Sequence, residues 1–183
     1  MHCWKTINLE RQFGFHRIFI ISLLIMCLVF SFMFVPLHSI HSEPLYDRHF
    51  LIFLSVLISI YPVHKLLHYL PIVRYTKKIK CQYRFMYKFI PLLMIRVKEP
   101  IPKRRFAFAL LFPFLVLTPV FILGSHFFPH YVHYFTMMLA FHTGICVTDF
   151  IYIKSIWRSP KEALIEENNE GYEILIQQSP PVS

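Results

Sequence analysis

The chain is poor in charge, above all in acidic residues, and it has few cysteines. Only 16 % of its 183 residues are charged, whereas a soluble domain has about 25 %. Apolar residues take the place of the missing charge and make up 56 % of the chain, with 20 Phe among them. These figures exclude an ordinary water-soluble globule and a disordered chain. Four cysteines without a regular spacing also exclude a disulfide scaffold.

The apolar residues fall into four long blocks, and nearly all of the charge lies between them. The blocks cover residues 18–37, 50–73, 106–123 and 131–153. A transmembrane helix needs about 20 mostly apolar residues to cross the hydrocarbon core of a bilayer. The sequence therefore predicts an all-α fold, a polytopic membrane bundle of four transmembrane helices. We expect a single domain over residues 1–155, with the lipid bilayer as its surroundings.

Positive charge alternates between the segments that join these blocks. Eleven Lys and Arg lie in the segment 74–105, where Glu99 is the only acidic residue. The segment 38–49 has Arg48 alone against two acidic residues, and 124–130 has no fixed charge. Because Lys and Arg accumulate on the cytoplasmic side, both termini are predicted to be cytoplasmic. The predicted location is a cell membrane, and the family resemblance given below implies a bacterial one.

The basic segment 74–105 has aromatic and aliphatic residues interleaved with its cations. That composition is typical of a segment in the headgroup layer, in contact with anionic lipid headgroups. It could also bind RNA, but a basic loop between two membrane spans already has an electrostatic explanation. We therefore expect no nucleic acid partner.

Residues 156–183 are predicted to form a short acidic cytoplasmic tail. The stretch Ser159-Pro160-Lys161-Glu162 has the pattern of a helix capping box with proline at the first helical position. It predicts a short helix through Glu166 and Glu167 that ends at Gly171. Residues 177–183 are expected to be loose.

Five ionisable residues stand out inside the apolar blocks: His64, Lys65, His68, His142 and Asp149. Such residues cost about 2.5–3.5 kcal/mol each on insertion scales and indicate a functional site. The two histidines of the second block share a helical face, and the aspartate lies at a matching depth in the fourth block. Two imidazoles and a carboxylate form a ligand set that zinc accepts.

Six further histidines lie at the predicted outer side of the membrane. They are His38, His41, His49, His126, His130 and His133. Such a group could bind a metal or respond to pH. Their spacing is irregular, however, and interfacial histidines need no special role.

The stretch His64-Lys65-Leu66-Leu67-His68, its place in a second span and the later His142…Asp149 pair resemble a family of small bacterial four-span proteins. That family has been called putative membrane zincin peptidases. The resemblance covers about residues 50–155. It implies His64 and His68 as zinc ligands, with Asp149, and less surely His142, as a further ligand. The departure is Lys65, which stands where the family has the glutamate of His-Glu-x-x-His and cannot be the usual carboxylate base.

Three functions are therefore compatible with the sequence. The first is a catalytically impaired relative of zinc metalloproteases, a scaffold or regulator in which Lys65 and Asp149 could form an intramembrane ion pair. In that case His64 and His68 could simply bond to carbonyls freed by Pro62 and Pro71. The second is an active zinc metallopeptidase that uses another base. The third is an unrelated protein with a proton or ion path.

Overall fold

The computed structural model describes residues 2–41, 43–73, 79–86, 90–97, 100–168 and 171–176, with the backbone alone at 10, 41, 79–86 and 90–97. Four long helices carry the apolar blocks. They are α2 (Phe15–His41), α3 (Phe50–Val73), α4 (Lys103–Phe127) and α5 (Val132–Trp157). All four are long and apolar enough to cross a membrane. The predicted four-helix membrane bundle is confirmed.

Helix α5 lies at the centre of the bundle, since it contacts α2, α3 and α4. Half of its most apolar stretch is buried, whereas the corresponding stretch of α2 is not buried at all. Gly144 of α5 lies so close to Met26 of α2 that a Cβ atom there would meet its side chain. The central helix is therefore the natural place for polar side chains, because it is shielded from lipid.

The chain also contains strands, which the sequence did not predict. Strand β1 (His2–Ile7) precedes the short helix α1 (Leu9–Phe13), and β4 (Ile101–Pro102) precedes α4. After α5 come β5 (Leu164–Asn168) and β6 (Gly171–Ile176). These strands form one antiparallel sheet in the order β1-β6-β5-β4. Strands β2 (Ile79–Met86) and β3 (Ile90–Val97) form a separate hairpin.

The four-stranded sheet covers one end of the bundle, which we call the sheet end. Its inward residues Ile7, Ile165 and Ile174 are fully buried and pack with Ile72 of α3 and Ile156 of α5. Because β1 pairs with β6, the first and last strands lie at the same end. The other end of the bundle, where α3 begins and α4 ends, is called the opposite end.

The helix predicted after Ser159 is wrong, because residues 164–168 form strand β5. The Ser159 hydroxyl donates to the Ile156 carbonyl at 2.6 Å, so it helps to end α5 instead of capping a new helix. Ile165 on β5 and Ile174 on β6 pair in register and turn into the core. This burial outweighs the local capping pattern. The predicted loose residues 177–183 lie outside the described residues.

Candidate metal centre

Two histidines of α3 form the first half of the site. His64 and His68 are four residues apart, so their side chains lie on one face of the helix. This face turns into the bundle, where His64 is 1 % exposed and His68 is 9 % exposed. Lys65, one residue further along, is exposed. The helix therefore presents two imidazoles to α4 and α5, and the exposed Lys65 lies at the edge of this face.

Asp149 of α5 completes a group that we call the His–His–Asp set. Its Oδ2 lies 3.0 Å from His64 Nε2, and its Oδ1 lies 3.5 Å from His68 Nε2. The two Nε2 atoms are 3.0 Å apart. The structure thus brings together, near the sheet end, the three side chains that the sequence proposed as ligands.

The separations in this set suit a metal ion. Zinc binds nitrogen and oxygen at about 2.0–2.2 Å, which places neighbouring ligand atoms of a tetrahedral site about 3.3–3.6 Å apart. The observed separations of 3.0–3.5 Å are close to that range. The ligand atoms that converge here carry more lone pairs than there are protons to share among them. A cation would satisfy this excess, so the residues fit zinc.

A backbone carbonyl holds His68 in the orientation that a ligand needs. His68 Nδ1 donates to the Ala109 carbonyl of α4 at 2.9 Å. In the neutral ring this leaves the lone pair on Nε2, which faces the other two side chains. The carbonyl is available because Pro113, four residues later in α4, has no N–H to bond to it. The carbonyls freed by Pro62 and Pro71 do not have this role.

His142 lies in a second group, further from the sheet end. Its Nε2 lies 3.5 Å from Cys146 Sγ, and its ring stands 5.4 Å from that of His64, centre to centre. His64, His142 and Cys146 are all buried and close enough to hold an ion. The two groups share His64, but His142 does not belong to the His–His–Asp set.

The suggested ion pair between Lys65 and Asp149 is not found among the described residues. The Asp149 carboxylate lies beside the imidazoles of His64 and His68 instead. The physical reason is geometric, since the face of α3 that meets α5 carries the two histidines. Lys65 therefore does not compensate the carboxylate charge in the way that the sequence suggested.

A cavity of about 90 Å³ adjoins the set at the sheet end, and we call it the centre cavity. Lys65, His68 and Asp149 border it, and so does Glu167 of β5. Burial, and after it the charge of Glu167, raises the pKa of Tyr172 in its wall. The phenol therefore stays protonated in a cavity with two carboxylates.

The histidines of the opposite end do not converge in the same way. His133 Nε2 lies 3.2 Å from Asp47 Oδ1, and His130 Nδ1 donates to the Pro44 carbonyl at 3.0 Å. Within the described part of the chain, no group of three metal-ligating side chains includes a histidine from this end. The side chain of His41 lies outside the described residues.

Residues 57–164 match the model of the family described as “putative zincin peptidase”. The chain belongs to this family. No curated protein and no solved structure is similar enough to match. The matched stretch of the zincin peptidase family contains the whole His–His–Asp set and ends before Glu167.

The sequence missed Ala109 and Glu167. A proline in an apolar helix marks a freed carbonyl four residues earlier, so Pro113 was a usable signal for Ala109. Glu167 had no comparable signal. It reaches the centre cavity because β5 pairs with β4 and β6, and the sequence did not predict those strands.

Proposed function

We propose that this protein is a membrane-embedded zinc protein whose metal is held by His64, His68 and Asp149. The observation that carries the proposal is the convergence of their ligand atoms at separations of 3.0–3.5 Å. Ala109 supports it by fixing the His68 ring from behind, as metal-binding histidines usually require. When bound there, zinc would supply a Lewis acid beside the centre cavity.

We further propose that ordinary zincin hydrolysis is impaired and that the protein acts as a scaffold or regulator. In His-Glu-x-x-His sites the glutamate is the general base, and a base typically contributes about 10²–10⁴-fold in rate. Here Lys65 stands at that position and borders the centre cavity. A protonated lysine accepts no proton, and it repels a nearby metal cation.

The proposed location is a bacterial cell membrane with the sheet end in the cytoplasm. The basic segment 74–105 joins α3 to α4 at this end, in keeping with the accumulation of Lys and Arg on the cytoplasmic side. Its proposed contacts with anionic headgroups involve side chains that, over 74–99, lie outside the described residues. Reporter fusions at Pro44 and Gly124 should report outside, and a fusion at Asn168 should report inside.

Metal analysis of the full chain, purified in detergent, tests the zinc proposal. We expect about one zinc per chain, a large loss in His64→Ala, and no change in His38→Ala, whose ring stacks on Phe34 in α2. A wild-type protein that stays zinc-free after dialysis against zinc would contradict the proposal.

Hydrolysis of a general protein substrate such as casein tests the impaired chemistry. Zinc-loaded wild-type protein should show no chelator-sensitive cleavage. Lys65→Glu should gain about 10²–10⁴-fold over that background, because it restores a carboxylate base. Chelator-sensitive turnover by the wild type would favour an active peptidase instead.

One observation favours that second candidate. Glu167 borders the same cavity as His68 and Asp149, so its carboxylate could accept a proton from an attacking water in place of the missing glutamate. Neighbouring strand residues point to opposite faces, and Glu166 does not border the cavity. An active peptidase of this kind should lose cleavage in Glu167→Gln and keep it in Glu166→Gln. Equal activity of both variants would exclude Glu167 as the base.

A further inference from the structure

A groove of about 690 Å³ lies between α4 and α5 at the sheet end, apart from the metal centre. Its body is apolar, with Phe108 and Leu111 on the α4 side and Ile153 and Trp157 on the α5 side. Phe108 is 51 % exposed and Trp157 is 74 % exposed. In a membrane helix such side chains face lipid, so the groove is open to the bilayer.

The end of the groove nearest the sheet is positively charged. Lys103, Arg104 and Lys161 border it, and none of the described residues that line it is acidic. Lys103 Nζ donates to the Trp157 carbonyl at 2.9 Å and also bonds to the Ser159 carbonyl, so its charge faces the carbonyl end of α5. Arg104 and Lys161 have no carboxylate partner among the described residues.

The start of α4 adds to this positive potential. Its first turn contains no acidic residue, and Pro102 before it provides no side-chain cap. The N-terminus of a helix carries a partial positive charge and favours anions. Clustered cations at such an end repel one another and the helix dipole unless an external anion compensates them. The groove therefore has an uncompensated positive end and an apolar body.

The dimensions of the groove indicate an amphiphile. Arg104 and Leu111 are seven residues apart in α4, which corresponds to about 10 Å along the helix axis. One leaflet has a hydrocarbon depth of about 15 Å, half of the roughly 30 Å core. An occupant with its charge at Arg104 would therefore lay its apolar part beside Phe108 and Leu111 within a single leaflet.

We propose that this groove is a binding site for one anionic phospholipid of the leaflet at the sheet end. Its phosphate lies between Arg104 and Lys161, and an acyl chain lies along Phe108, Leu111 and Ile153. The choice of occupant rests on charge complementarity together with the apolar wall. A free anion would make no contact with the apolar wall, and a zwitterionic lipid would leave the net positive charge uncompensated. The site is independent of zinc.

Native mass spectrometry of the full chain in detergent tests the site. Phosphatidylglycerol and phosphatidylcholine with identical acyl chains are titrated separately into delipidated protein. We expect tighter binding of phosphatidylglycerol. The double variant Arg104→Gln/Lys161→Gln should weaken it about 25-fold, since each cation near a membrane surface contributes about fivefold. The matched control Lys5→Gln/Arg17→Gln has the same charge change outside the groove and should keep wild-type binding.

A second variant covers the case in which the double variant fails to fold. Ala107 also lines the groove, and Ala107→Phe should narrow the groove without changing its charge and weaken binding of both lipids. Equal affinity of the wild type for the two lipids would overturn the proposal. So would unchanged phosphatidylglycerol binding in folded Arg104→Gln/Lys161→Gln, or displacement of the lipid by an equal concentration of inorganic phosphate.

Discussion

Both ends of the bundle place histidine beside aspartate, but within the described residues only one of them forms a candidate metal site. At the sheet end, Asp149 is 7 % exposed and lies within 3.5 Å of two histidine nitrogens. At the opposite end, the side chain of Asp47 is 86 % exposed and one histidine, His133, lies 3.2 Å from it. Composition is therefore a poor guide to a metal centre. What distinguishes the sheet end is convergence of several lone pairs inside the protein.

The surrounding structure explains this difference. Asp149 and the two histidines come from helices that pack together, and the sheet covers the end of the bundle close to them. Asp47 lies in the loop between α2 and α3, where water competes for its charge. Shielding from water strengthens electrostatic interactions, so only the set at the sheet end should hold an ion tightly.

The largest expected effect is the difference in zinc affinity between the two variants Asp149→Ala and Asp47→Ala. Asp149→Ala removes the only anionic ligand of the set and should weaken zinc binding more than about 100-fold, because even the loss of an outer hydrogen-bond partner typically costs 10–100-fold. Asp47→Ala should leave zinc affinity unchanged. Competition with a chromophoric chelator measures both variants in detergent. Equal losses would show that the two ends do not differ as we infer.

Periodicity and block length made the membrane bundle predictable. Mostly apolar stretches of about 20 residues identified the four helices, and the spacing of His64 and His68 placed both on one face. The sheet was not predictable in this way, because β1 pairs with β6 from the other end of the chain. After Ser159 the local capping pattern favoured a helix, but the pairing of β5 with β6 makes this stretch a strand.

The candidate metal centre was predictable from the same two features, helical spacing and position along the apolar blocks. Depth in the membrane and helical face gave His64, His68 and Asp149 as neighbours. They could not separate His142 from the set, because that depends on the packing of individual rings. The place of Lys65 beside the cavity, without an ion pair to Asp149, also required the orientation of α3 about its own axis.

An intermediate effect is expected when the Ala109 carbonyl no longer orients His68. Pro113→Ala supplies a backbone N–H that competes for the Ala109 carbonyl, so the His68 ring should be less well fixed. We expect zinc affinity to fall by up to about 10–100-fold. Pro119→Ala, in the same helix, also supplies a backbone N–H, but it does not compete for the Ala109 carbonyl, and it serves as the matched control. The same chelator competition detects the change, and an unaltered affinity in Pro113→Ala would show that this hydrogen bond is dispensable.

The smallest effect is expected from His133→Phe at the opposite end. His133 is 8 % exposed, and neither of its ring nitrogens makes a well-formed hydrogen bond. Its contact with Asp47 is an ion pair only when the ring is protonated, and because the Asp47 side chain is 86 % exposed such a pair contributes about 0–1 kcal/mol. Phe has a similar size and no polar atom to bury, so thermal unfolding in detergent should change little and zinc content not at all.

The matched variant His68→Phe should behave in the opposite way. It removes one of the proposed zinc ligands and leaves the Ala109 carbonyl without its donor, so zinc should be lost and unfolding should occur at a lower temperature. Both substitutions replace a buried histidine that faces an aspartate. Only His68 also contacts a second histidine and a backbone carbonyl. If His133→Phe destabilised the protein as much as His68→Phe does, the opposite end would hold a structured site of its own.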